Sequence, residues 1–150
     1  MTRGSVLFVL LLLACGSAVP VALRWDEESC RHCHMILADR RFGAEVVTTR
    51  GRALSFDDAG CAANHLATGA TPPAEVSSVW VIDYTNPGNL IAADSALFVR
   101  SSAFRTPMGS GVVATPTLAA ATALVHQTGG VVLTWDQVLA AARAGGLGAR

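Results

Sequence analysis

The chain opens with one unbroken apolar run and then changes character. Residues 6–13 are continuously apolar and follow Arg3, a positive start and a hydrophobic segment that together read as an export signal. A polar, acidic stretch at 24–29 comes next, and beyond it the apolar positions fall into short runs. Residues 42–49 alternate loosely and are rich in Val and Thr, which predicts a strand. Arg50-Gly51-Arg52 reads as a hairpin turn leading to a second short strand at 53–56. Asp57 or Asp58 offers an N-cap for a helix running to about Ala67, with Gly69 past its end. After the Thr71-Pro72-Pro73 loop, residues 76–84 (VSSVWVIDY) are the clearest strand, stopped by Asn86-Pro87-Gly88.

The second half repeats this rhythm. Residues 96–100 predict a strand, 105–111 (RTPMGSG) a flexible loop, and 112–114 another strand. Thr115 reads as the cap of a helix with Pro116 at its first position and Gly129 beyond its end. Residues 131–133 close with a strand, and Thr134 with Gln137 resembles a capping box for a final helix to about Ala144. Residues 145–150 read as a disordered tail. Each half is strand, strand, helix, strand. The expected fold is therefore α+β: two pseudo-repeated ββαβ units packed as one domain, with a C-terminal helix. At 150 residues the chain is long enough to bury a real core.

Composition narrows the function classes. Acidic and basic residues balance at 11 each, so there is no basic footprint for nucleic acid. No lysine is present, which excludes Schiff-base chemistry. Ser55, Ser77 and Ser110 have no matching His/Asp pattern, and no glycine-rich phosphate loop occurs. The chain reads as a non-enzyme.

The N-terminus adds an anchor. Leu12-Leu13-Ala14-Cys15 resembles a bacterial lipobox. On that reading residues 1–14 are a lipoprotein signal peptide and Cys15 is acylated. Residues 15–29 are then a lipid-anchored tether, and 30–144 the functional domain. An uncleaved helix competes, because apolar character resumes at 18–23, and so does a plain cleaved signal. Pro20 and the short run before Cys15 count against a full span. All three readings export the domain, to the periplasmic or extracellular face of a membrane.

The unusual chemistry is concentrated at Cys30-Arg31-His32-Cys33-His34-Met35. With Cys15 removed, Cys30, Cys33 and Cys61 remain, an odd thiol count for an oxidising compartment. A Cys30–Cys33 disulfide is one reading and metal ligation the other. Met35 follows a Cys and a His, and Met108 sits in a loop between Pro107 and Gly109; neither is an obvious core position. Thiolate and thioether donors together select Cu(I). On a strand, the two-residue period would put Cys33 and Met35 on one face, to be completed by a soft ligand from a second loop. Cys61, beside Ala62 and Ala63, reads as a small buried apolar residue. His65 and His126 read as surface or capped core histidines. His32 faces either solvent or the metal. Asp57 and Asp58 read first as caps, and Asp83 as a turn brace.

These residues, taken in order, resemble the NosL family. The resemblance rests on the lipobox, Cys33-His34-Met35, Phe56-Asp57-Asp58-x-Gly60-Cys61, Ile91-Ala92-Ala93-x-x-Ala96-x-Phe98-Val99, Thr106-Pro107-Met108-Gly109 and the late Gly129-Gly130 before a capped helix. It implies a copper-binding lipoprotein of the cell envelope, accessory to the maturation of nitrous oxide reductase. It also implies paired ββαβ units like those of organomercurial lyase, Cu(I) held by Cys33, Met35 and Met108, and nitrous oxide reductase or its assembly machinery as partner. Two positions depart from the family pattern: His34 stands where that pattern has glycine, and Leu90 where it often has tryptophan. The first creates Cys30-x-x-Cys33-His34, the signature for c-type haem attachment. The alternative function is thus a small membrane-anchored cytochrome with His34 proximal and Met108 distal, although no amphipathic helix precedes the motif. A zinc site on Cys30, Cys33, His32 or His34, with Cys61, is the third option.

Overall fold

A computed structural model describes residues 19–148. The lipobox and Cys15 lie outside the described residues. Within them the chain forms two antiparallel sheets and three α-helices. The first sheet contains β1 (Ala44–Thr48), β2 (Ala53–Phe56), β3 (Val76–Ile82) and β4 (Leu90–Ala92), in the order β2-β1-β3-β4. All five residues of β1 are buried, which explains its loose alternation: a central strand covered on both faces needs no polar side. The turn after it closes with Thr48 N–H donating to the Arg52 carbonyl at 2.8 Å, around Gly51 at φ 74°. A positive φ there suits glycine, which has no Cβ to clash.

The second sheet contains β5 (Leu97–Arg100), β6 (Val112–Thr115) and β7 (Val131–Leu133), in the order β6-β5-β7. In both sheets the strand that comes first in the chain is flanked by the next two. The halves differ in what they add: β4 extends the first sheet, and a helix follows the second. The sheets meet where Tyr84 N–H donates to the Ala114 carbonyl at 2.9 Å. Just there, Asp83 braces a turn as expected, accepting from Thr85 N–H and Oγ.

Helix α1 (Ala59–Ala67) is capped by Asp58, whose Oδ1 accepts from Cys61 N–H at 2.6 Å. Helix α2 (Leu118–Thr128) is capped by Thr117, not by Thr115 as expected. Thr115 remains paired with Leu97 at the end of β6, so Pro116 precedes the cap instead of opening the helix. Helix α3 (Trp135–Arg143) carries the predicted capping box between Thr134 and Gln137. Helices α1 and α3 pack together over a core that includes Phe56, Val81, Phe98 and Val138, with the Phe98 and Trp135 rings 5.4 Å apart. Burying each such side chain stabilises the fold by about 1.5–3 kcal/mol.

Other boundaries shift. The strand expected over 76–84 ends at Ile82, and β4 was not anticipated, because three half-buried residues give little periodicity. Residues 145–148 of the expected disordered tail are tied to the domain by hydrogen bonds and one buried side chain. Leu147 is buried, its carbonyl accepts from Asn64 Nδ2, and Gly146 N–H donates to the Ala141 carbonyl. The expected tether likewise lies on the domain from Val21 on, where Val21 N–H donates to the buried Glu45 carboxylate and Leu23 joins the core. No helix among the described residues is long and apolar enough to cross a membrane.

Candidate metal centre

The cysteine-bearing segment is a closed turn. Ser29 and Ile36 form an antiparallel bridge, Cys30 N–H donates to the Met35 carbonyl at 2.7 Å, and His34 N–H donates to the Cys30 carbonyl at 3.0 Å. Arg31 N–H ties the turn to the Ser55 carbonyl of β2 at 2.8 Å. Cys33 and Met35 are therefore placed by a turn and not by the strand alternation expected of them. His34 sits at φ 64°, a left-handed conformation that costs a non-glycine residue energy. This is the position where the family pattern has glycine.

The turn lays its thiols against the start of α1. One ligand atom each from Cys30, Cys33, Asp57 and Cys61 lies within 4.8 Å of all the others. The three thiols are free; Cys30 and Cys61 are fully buried and Cys33 is partly exposed. Cys33 Sγ donates to Asp57 Oδ2 at 3.1 Å. The other oxygen, Asp57 Oδ1, is buried without a hydrogen-bond partner. A buried unpaired carboxylate oxygen is costly, and here it lies in a cluster of sulfur donors.

The cluster divides its protons unequally. The Cys61 thiol donates to Cys30 and, with backbone N–H groups nearby, brings the Cys30 thiol down to about 7 despite burial. Burial pushes Cys33 up to about 12, with Asp57 and Cys30 adding to it. Cys61 is pushed up by the proton it shares with Cys30 and by its own burial. One sulfur is thus eased toward its thiolate while its neighbours hold their protons more firmly, and an incoming cation would displace them.

Met108 comes from the second half. Its side chain is half-buried and packs on the same core cluster as Cys33. Its loop is fastened by Asp58, whose Oδ2 accepts from Ser110 Oγ at 3.1 Å and from Met108 N–H at 3.4 Å. Asp58 therefore caps α1 with one oxygen and holds the methionine loop with the other, beside Asp57. Burial raises its carboxyl above the usual range. Gly60 permits the close approach: a Cβ there would stand 2.3 Å from Ser110 Cβ.

The remaining candidates sort themselves by position. Met35 is 48% exposed and His34 is exposed. His32 is half-buried and faces His65 edge-on at 6.4 Å. His65 is buried and bonded to Thr71 Oγ at 2.9 Å, as a capped core histidine should be, while His126 is exposed on α2. Neither His32 nor His34 belongs to the four-residue cluster. Asp57, read first as a cap, is not one. Cys61 is buried as expected, yet it also presents its sulfur to the cluster. Two signals in the sequence pointed there: a second aspartate where one cap suffices, and an odd number of thiols. The haem reading finds no supporting frame, because residues 25–27 form a turn and, among the described residues, no helix precedes Cys30.

The NosL family model matches residues 20–142. The chain belongs to the NosL family. Its fold is similar to that of the crystal structure of the copper chaperone NosL from Shewanella denitrificans, with a TM-score of 0.59 and 22% identity over 79% of this chain and 96% of that one. No curated protein matches the chain in sequence. The structural likeness bears on the α+β arrangement of antiparallel sheets with a final helix; the family match covers the Cys/Asp cluster and the Met108 loop alike.

Proposed function

We propose that this NosL-family chain is a Cu(I) metallochaperone of the cell envelope, held to a membrane through Cys15. Its cargo is held by Cys33, Met35 and Met108 and passed to nitrous oxide reductase or its assembly machinery. The observation that supports the reading is a cysteine cluster that includes Asp57 and a methionine loop fastened to the adjacent Asp58. The donor chemistry fits the ion. Thiolate and thioether sulfurs suit soft, low-coordinate Cu(I), whereas zinc rarely takes methionine. The named relative is a copper chaperone, which agrees with this reading.

The mechanism is transfer by ligand exchange and not catalysis. Cys33 sits in a turn fixed at both ends, and it supplies charge once the incoming ion displaces the proton that burial makes it hold. Met35 is exposed and Met108 lies beside Gly109, so the thioethers can be replaced one at a time by an acceptor's ligands. Cys30 and Cys61 are the fully buried thiols of the same cluster. Cu(I) titration against a chromophoric chelator tests this, with Zn(II) as the competing ion. Cys33→Ala should weaken Cu(I) binding on the order of 100-fold, about 2.7 kcal/mol. Tight zinc binding with undiminished Cu(I) affinity in that variant would defeat the assignment. Delivery is tested by mixing the loaded protein with copper-free nitrous oxide reductase and its assembly machinery, and following the reductase's copper content.

A further inference from the structure

Beside the Met108 loop lies an open cleft of about 970 Å³. Its walls come from residues 100–102 and 104–111 on one side and 128–131 on the other, so they join β5, the methionine loop, the end of α2 and the start of β7. Arg100 and Arg105 are the ionisable residues that line it, and no acidic residue does. This is a local excess of positive charge in a chain whose formal charges cancel. Arg100 donates to the Gly146 carbonyl, while Arg105 is exposed and forms no ion pair among the described residues. The cleft touches β7 at its first residue, Val131. β7 is paired with β5 on one side only, and its first residue, Val131, is 55% exposed. An edge strand with unpaired backbone groups is a template for an added extended segment.

We propose that this cleft is a docking groove for an acidic, extended segment of a partner protein, its carboxylates meeting Arg105 and Arg100 and its backbone adding to the edge of β7. The volume is large for a small anion and suits a short peptide. A segment lying there touches Met108, which lines the same cleft. Docking would therefore reach the thioether assigned to copper, a consequence that rests on the copper reading above; the groove itself does not.

The test uses the metal-free protein and a capped, fluorescein-labelled peptide of alternating glutamate and valine. Anisotropy should rise saturably and fall with added salt. Arg105→Glu should weaken binding about tenfold, while leaving Cu(I) affinity unchanged. A peptide with lysine in place of glutamate should not bind, and N-methylation of alternate backbone amides should weaken the acidic one. Failure of the acidic peptide to bind at millimolar concentration would overturn the proposal. So would equal binding by Arg105→Glu, or Arg105-dependent binding to phosphatidylglycerol vesicles without peptide binding. Met108→Ala keeps the two readings separable: unchanged Cu(I) affinity in that variant defeats the copper assignment, and peptide binding decides the groove.

Discussion

The two segments assigned to copper are built differently. The turn around Cys33 is fixed by a bridge at its ends, by hydrogen bonds across it and by a tie to β2. The loop around Met108 closes on its own Thr106, which accepts from Gly109 and Gly111 N–H, is tied to the start of α1 through one carboxylate, Asp58, and has Gly109 and Gly111 at positive φ. The first places charge-bearing sulfurs in a buried cluster; the second leaves its sulfur half-buried beside an open cleft. A carrier needs both properties. Its anionic ligand must stay pre-organised to bind tightly, and at least one neutral ligand must leave at little cost to let go.

Substitutions can break this contrast, and they differ in size. The largest effect is expected on the fixed side, where Cys33→Ala removes the charged ligand. Met108→Ala should cost less, about tenfold in Cu(I) affinity, because a thioether contributes no charge. Loss of the hinge between the two should come next. Asp58→Ala removes an N-cap and a buried hydrogen bond and should destabilise folding by about 2 kcal/mol in urea melts. Gly60→Ala forces a Cβ against Ser110 and should cost about 1–3 kcal/mol. It should also push the methionine loop away and so lower Cu(I) affinity, which a copper titration detects.

Smaller effects sharpen the picture of the fixed turn. His34→Gly relieves a residue held at φ 64° and should stabilise the protein by about 1 kcal/mol, measured by thermal melting. His65, behind the turn, is held below the ordinary imidazole value first by burial and then by His32 and Arg31. Its neutral form is the one the fold prefers. That contribution is complete above the unfolded value of about 6.5 and is lost as pH falls through the lower folded value. The raised carboxyls of Asp58 and Glu45 act in the opposite sense, gaining on acidification. Comparison with His65→Asn isolates the histidine: the variant should lose less stability than the wild type between neutral pH and pH about 5. Smallest of all, Arg24→Ala removes exposed ion pairs with Glu27 and Glu28 and should change stability by less than about 0.5 kcal/mol.

What could be read from the chain was set by local chemistry. Asp58 and the Thr134–Gln137 box announce helix starts through backbone N–H groups two or three residues away, so their sequence neighbourhood is sufficient. Thr115 misled because a threonine before proline satisfies the same local rule, while pairing with Leu97 in β5 keeps it in the sheet. The family pattern implied Cys33, Met35 and Met108 as ligands; the roles of Asp57 and Cys61 were harder to see. Asp57 meets Cys33 across 24 residues, and Cys61 meets Cys30 only once α1 packs behind the turn. Those contacts belong to tertiary packing. So does the fastening of the Met108 loop to Asp58, 50 residues away in sequence.

The central claim is that one thiolate from the fixed turn and thioethers that include Met108 of the second loop share a single copper ion. Copper K-edge X-ray absorption of the Cu(I)-loaded protein tests it most directly. The predicted result is a sulfur-only shell of low coordination number that loses one sulfur in Met108→Ala. A shell identical in wild type and variant would contradict it.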